Sequence, residues 1–201
     1  MEVSKPLRIA IFGSGMGSNA KEIIEYFNNS TEAKSGKITL IVCNKENAGI
    51  VEIAKNNNIP SLIINKEDFY AGKFNQQIKN SVDFIVLAGF LLKMPASLIK
   101  LFINRIINIH PALLPLYGGK GMFGNKVHEA VLKSGDSQSG ISIHYVDEDY
   151  DTGKIIFQAN CDVDKNDSIL SLAKKIHLLE HQNFSKVIEM EVQKLNGLLN
   201  S

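Results

Sequence analysis

Phe84-Ile85-Val86-Leu87-Ala88-Gly89 is the stretch that decides the fold. Five apolar residues in succession leave no polar face, as in a strand whose sheet is covered by helices on both sides. Outward from it, short apolar runs alternate with helix-like segments. Upstream, residues 7–12, 38–43 and 61–64 read as strands, and residues 18–29, 48–57 and 68–80 as the helices between them. Downstream, residues 95–101 predict a short helix and residues 105–109 a fifth strand. Such alternation predicts an α/β fold with a doubly wound, mostly parallel, Rossmann-like sheet.

The pattern changes after Pro111. A glycine-rich loop over residues 118–124 precedes a helical stretch at about 126–133. Residues 142–146 and 154–159 then read as two strands joined by an acidic loop, an antiparallel addition to the sheet. From Ser168 to about Leu195 the spacing of Ile169, Leu172, Ile176, Leu179, Phe184, Val187 and Ile188 suits one or two C-terminal amphipathic helices. Asp167 or Ser168 is the expected N-cap. Without a repeat, linker or low-complexity tract, residues 1–201 are expected to form one domain.

Composition narrows the function classes. Hydrophobic residues at 44% and charged residues at 21% are ordinary globular values. A formal charge of +1 argues against broad electrostatic binding to nucleic acid. The first five residues lack the layout of a signal peptide, and no apolar run approaches the roughly 20 residues that span a bilayer. Cys43 and Cys161 lie in different segments and suit free thiols in a reducing compartment. A cytoplasmic protein without membrane contact is expected.

Two motifs carry chemistry. In Ile107-Asn108-Ile109-His110-Pro111 an Asn and a His stand two apart where a strand ends, so their side chains share one side. The amide can donate to a developing oxyanion and the imidazole can move a proton near neutral pH, as acyl transfer requires. Directly after the first strand, Gly13-Ser14-Gly15-Met16-Gly17-Ser18-Asn19 combines glycine turns with a helix start and side-chain donors. It suits a monophosphate. Ser18 replaces the third glycine of a dinucleotide fingerprint, and a Walker ending is absent. The acidic loop offers Asp147, Asp149 and Asp151 as partners for His110, and spacing alone does not choose among them. His144 alternates with Ile141, Ile143 and Tyr145 and is placed to face a cleft opposite the apolar side. The histidine and cysteine spacings match no metal motif, so no metal is expected.

Gly15-Met16-Gly17-Ser18-Asn19, Val86-Leu87-Ala88-Gly89-Phe90, Asn108-Ile109-His110-Pro111-Ala112-Leu113-Leu114-Pro115 and Asp151-x-Gly153 together resemble the folate-dependent formyltransferases, in order and over nearly the whole chain. The resemblance implies formyl transfer from 10-formyltetrahydrofolate to the amine of a phosphorylated glycinamide ribonucleotide in purine biosynthesis. It implies Asn108, His110 and Asp151 as the catalytic trio, with Asp151 raising the pKa of His110. It places the substrate phosphate on Gly17, Ser18 and Asn19, and Glu180 near the glycinamide end. The folate is implied along Leu91, Leu92, Lys93, Met94 and Asn108, with the pterin near residues 146–151. It divides the domain into a phosphate- and substrate-binding half (about 1–110) and a folate-binding and catalytic half (about 111–201). The enzyme is expected to act as a monomer or homodimer on small molecules.

Two departures stand out. Residues 118–124 are longer and richer in glycine than the matching loop of other members, which suits a lid. Leu92 stands where some members carry arginine, with Lys93 beside it. Among related activities, transfer to initiator tRNA calls for a further C-terminal domain, whereas this chain ends about 50 residues after Gly153. A formyl-folate hydrolase usually adds an N-terminal regulatory domain, and this chain starts at its first strand. A non-enzymatic nucleotide-binding module would use residues 13–19 and leave His110 idle.

Overall fold

The computed structural model describes residues 5–29 and 35–199. Its elements run β1 (Leu7–Gly13), α1 (Ser18–Asn29), β2 (Gly36–Cys43), α2 (Gly49–Asn56), β3 (Ser61–Ile63), α3 (Lys66–Tyr70), α4 (Asn75–Ser81), β4 (Phe84–Leu87), α5 (Ala96–Leu101), β5 (Ile106–His110), α6 (Asn125–Ser134), β6 (Gln138–Tyr145), β7 (Ile155–Asp162) and α7 (Ile169–Leu199). The seven strands form one sheet in the order β3-β2-β1-β4-β5-β6-β7. β1 to β5 are parallel, and β6 and β7 join antiparallel. The α/β fold with a doubly wound, mostly parallel sheet, an antiparallel addition and a C-terminal helix is therefore as the sequence predicts.

Strand alternation divides the core into two layers. Phe84 and Val86 of β4 point into a cluster with Ile9, Ile11, Ile107, Ile109, Ile141 and Ile143, covered by α1, α2, α6 and α7. Ile85 and Leu87 point the other way, into a cluster with Ala10, Phe12, Val42, Leu98 and Phe102, covered by α3, α4 and α5. Each fully buried Ile or Phe contributes roughly 1.5–3 kcal/mol, which is why a strand apolar on both sides is stable only here. α7 spans 31 residues as a single helix and buries Leu172, Ile176, Phe184 and Ile188 against the first cluster.

Three boundaries depart from the sequence reading. The helix expected over residues 68–80 is two helices, because Gly72 adopts φ +77 and ends α3, whose start Asn65 caps by accepting the Asp68 N–H at 2.8 Å. β6 begins four residues earlier than expected, at Gln138, and β7 runs on to Asp162. Gly140 makes this pairing possible, since a side chain there would collide with the backbone of Ala159 on β7.

The strand order reverses between β1 and β4, where doubly wound sheets open a crevice beyond the strand ends. The loops leaving these strands are tied together. Ser14 N–H donates to the Gly89 carbonyl at 3.0 Å, and Leu91 N–H donates to the Ser14 hydroxyl at 3.0 Å.

Candidate active site

Parity along β5 builds the site. Ile107 and Ile109 fill the first core cluster, so Asn108 and His110 must face the opposite side. On β6, Ile141 and Ile143 do the same, which turns Ser142 and His144 to that same side. Register then sets Asn108 opposite His144 and His110 opposite Ser142. Ser142 braces the loop after β5: its hydroxyl donates to the Ala112 carbonyl at 2.7 Å and accepts the Leu114 N–H at 2.9 Å.

Hydrogen bonds assign the tautomers. His144 Nδ1 lies 2.8 Å from the Tyr145 carbonyl and must carry the proton there. An unprotonated Nε2 accepts from Asn108 Nδ2 at 3.1 Å, and a protonated one faces Asp151 Oδ1 at 3.6 Å. One Asn108 N–H is thus fixed. The other meets Asp151 Oδ1 at a long 3.4 Å, a weak contact that a better acceptor can replace. His110 Nε2 likewise donates to the Tyr117 carbonyl at 2.8 Å, and its Nδ1 faces Asp151 Oδ2 at 3.6 Å.

Asp151 sits in a left-handed turn at φ +58, which folds its carboxylate back over the sheet. It accepts the Gly119 N–H at 2.9 Å and lies 3.6 Å from His144 Nε2. Burial pushes its carboxyl up, but His144, His110 and the Gly119 amide together hold it below the usual value. His110 departs from expectation. Its burial lowers the pKa, and although Asp151 and the Tyr117 carbonyl raise it, the net direction is down. The charge on Asp151 acts in the expected sense, but desolvation outweighs it.

Also lining the cleft, residues 14–19 turn into α1. Gly17 adopts φ +82, and a side chain there would meet Ile50 Cα at 2.9 Å, so α2 packs hard against the loop. The first turn of α1 presents N–H groups that have no acceptor within the helix. Asn19 Nδ2 donates to Glu180 Oε2 at 3.0 Å. Glu180 is only 6% exposed, and burial raises its pKa against the lowering effects of Asn19, His177 and His181. Glu180 is therefore a buried group of the cleft, reaching from the second half of the chain to the first.

These features share a single cleft of about 770 Å³. Asn108, His110, Asp151, Gly17, Ser18, Asn19, Glu180, Leu91, Leu92, Lys93 and Met94 all line it. Leu91 is exposed, whereas Met94 is buried and packs in the second core cluster. Lys93 Nζ lies 3.6 Å from Asp149 and over the ring of Tyr150. Residues 146, 147, 149 and 150 complete this wall. His144, His128 and His177 also line the cleft and were not in the predicted site. The alternation around His144 pointed to it, but only the register opposite Asn108 shows what it holds.

Among the described residues, no group of three or more His, Cys, Asp or Glu side chains is arranged to hold a metal ion, and no helix is long and apolar enough to cross a membrane. Cys43 and Cys161 are free thiols.

Comparison with known proteins agrees with this geometry. The formyl transferase family model matches residues 7–188. The chloroplastic phosphoribosylglycinamide formyltransferase of Arabidopsis thaliana is 42% identical over 188 residues, covering 90% of this chain and 64% of the relative. The chain thus spans somewhat under two thirds of that plant protein. The crystal structure of phosphoribosylglycinamide formyltransferase from Bacillus halodurans superposes with a TM-score of 0.85 at 31% identity, covering 94% of this chain and 96% of that one. The Coxiella burnetii enzyme of the same name gives 0.82 at 32% identity, covering 92% and 86%. With a matching family model over most of its length and the trio set in one cleft, the chain belongs to the formyl transferase family.

Proposed function

We propose that the chain transfers the formyl group of 10-formyltetrahydrofolate to the primary amine of 5'-phosphoribosylglycinamide. The products are N-formylglycinamide ribonucleotide and tetrahydrofolate, a step of purine biosynthesis. The observation that carries this reading is the single cleft lined both by the glycine loop at the start of α1 and by Asn108, His110 and Asp151. A phosphorylated amine fits between them, with Gly17, Ser18 and Asn19 on the phosphate and Glu180 drawing the amine end. The names of the relatives give the same acceptor and the same transferred group.

The wall formed by Leu91, Leu92, Met94 and Val146 suits a flat aromatic ring, and Lys93 offers a cation for a carboxylate tail. Bound there, the folate supplies an activated one-carbon unit. The amine lone pair forms the new C–N bond while the carbonyl oxygen gains negative charge. Asn108 donates the N–H now held loosely by Asp151, and His144 keeps that amide turned the right way. His110 has Nε2–H committed to the Tyr117 carbonyl, so Nδ1 is the nitrogen that takes up and returns a proton. The facing carboxylate of Asp151 stabilises the imidazolium as charge develops. The amine loses a proton, the folate nitrogen gains one as its C–N bond breaks, and no covalent enzyme intermediate is needed.

The same reading takes residues 1–201 as one domain, acting as a monomer or homodimer in the cytoplasm. Fractionation tests the location, since the plant relative is named chloroplastic.

The test is spectrophotometric turnover of 10-formyltetrahydrofolate with and without the ribonucleotide. Turnover that requires the ribonucleotide supports transfer, turnover without it indicates a hydrolase, and none in either case refutes the reading. His110→Ala and Asn108→Ala should each lower kcat by on the order of a hundredfold while the fold is retained.

A further inference from the structure

The trio is held by main-chain groups of a short strap that supplies none of the proposed chemistry. Tyr117 offers its carbonyl to His110 Nε2 at 2.8 Å, and two residues later Gly119 offers its N–H to Asp151 Oδ2 at 2.9 Å. Both contacts depend on an unusual backbone, with Tyr117 at φ +56 and Gly119 at φ +97. A left-handed conformation disfavours any residue that carries a side chain. Glycine would fit position 117 without that cost, so the tyrosine side chain must contribute something glycine lacks.

The phenol shows what that is. Tyr117 donates its hydroxyl to the carboxylate of Asp136, and the same oxygen lies 2.6 Å from the Ser134 hydroxyl. Ser134 closes α6, and Asp136 follows Gly135, the left-handed residue that caps it. Asp136 N–H in turn donates to Ser134 Oγ at 3.3 Å. The end of α6 therefore grips the ring of Tyr117, and the backbone of Tyr117 grips His110. Gly118 completes the strap, since a side chain there would press within 2.6 Å of Leu114 Cδ2.

We infer that Tyr117 is a positioning residue: anchored by its phenol to Asp136 at the end of α6, it fixes the strap that sets the tautomer of His110 and the orientation of Asp151. The inference rests on the proposed formyl transfer for its kinetic consequence, though not for its structural one. Residues 118–124, read from sequence as a lid, thus begin with a clamp on the catalytic groups.

The decisive variant is Tyr117→Phe, which keeps the ring packed and removes only the hydroxyl. Its partner is Asp136→Ala, which removes the anchor from the other side. The first readout is the titration of the His110 ring by NMR without substrate, assigned with a His110→Asn variant. The charged or titratable groups facing His110 are Asp151 from the β6–β7 loop, His144 from β6 and His128 from α6. None of them is altered in these variants. Loosening the Tyr117 carbonyl contact, which favours the charged ring, should move the His110 titration to lower pH. The second readout is kcat against KM. Each variant should lower kcat about tenfold with KM changed less than about threefold, and the double variant should be no slower than either single one. An unshifted His110 titration in both folded variants overturns the inference, whatever the activity. Additive losses of kcat overturn it too. Absence of ribonucleotide-dependent turnover in the unmodified enzyme would instead count against the proposed function and leave the NMR result to decide this one.

Discussion

Asp151→Asn isolates the part of the mechanism that depends on charge. Its side chain is 11% exposed, and Oδ2 stands 3.6 Å from His110 Nδ1. Two unit charges at that separation, in an effective dielectric of about 20, attract by about 4.6 kcal/mol. Asparagine matches the shape and retains an oxygen for the Gly119 N–H at 2.9 Å, so the strap should hold. What is lost is the stabilisation of an imidazolium that burial already disfavours. With His110 charged in the transition state, about 4.6 kcal/mol corresponds to a fall in kcat of about two-thousandfold. The ribonucleotide KM should change by less than about threefold, because its phosphate is assigned to Gly17, Ser18 and Asn19 and not to Asp151. Initial-rate measurements of folate turnover, with melting temperature as a check on folding, decide it. A folded Asp151→Asn enzyme that keeps kcat within about tenfold of the original would refute the role given to the charge.

Acid should weaken the fold through its histidines. Burial is the leading cause that lowers the pKa of both His110 and His128 below the ordinary 6.5. The unfolded chain therefore binds more protons near and below pH 6.5, so stability should fall as pH drops from about 7 towards 5. Asp151, held below 3.8, adds stability that is present above that value and lost below it. A melting temperature that stays flat from pH 7.5 to 5.5 would contradict this. Glu180→Gln should retain an acceptor for Asn19 and relieve the burial of a carboxylate. Relief on the order of 1 kcal/mol would raise the melting temperature by about 2–4 °C, while the ribonucleotide KM rises. A lower melting temperature would count against the stated cause. Gly17→Ala combines φ +82 with a 2.9 Å approach to Ile50 Cα, so the loop must shift. Calorimetry should show phosphate-ester affinity reduced by about tenfold or more, given a strain of roughly 1–2 kcal/mol, and unchanged affinity would sink the loop assignment.

Much of this was legible before the structure. The β4 run read as buried on both faces because no polar residue interrupts Phe84 to Leu87, and both core layers bear that out. Asn108 and His110 were legible because period-two alternation is a local property of the strand. Other features depend on contacts distant in sequence. Three aspartates occupy the loop after β6 and spacing does not choose among them, whereas the left-handed backbone at Asp151 turns its carboxylate to the site. Glu180 has helical spacing and charge, and the Asn19 that meets it lies 161 residues away. The early start of β6 was hidden because Gln138 and Ser139 are polar, and the pairing of Gly140 with Asn160 shows only in the sheet. The net direction at His110 was missed because burial is a sum over the whole fold, whereas a neighbouring carboxylate is easily imagined from a motif.

The central claim is that the one-carbon unit passes to an amine bound in this cleft. Incubating the protein with formyl-¹³C-labelled 10-formyltetrahydrofolate and 5'-phosphoribosylglycinamide, then analysing the products by mass spectrometry, tests it directly. The account predicts the label on the ribonucleotide as an N-formyl amide, in amount equal to the tetrahydrofolate formed. Label recovered as free formate, with the ribonucleotide unchanged, would contradict it.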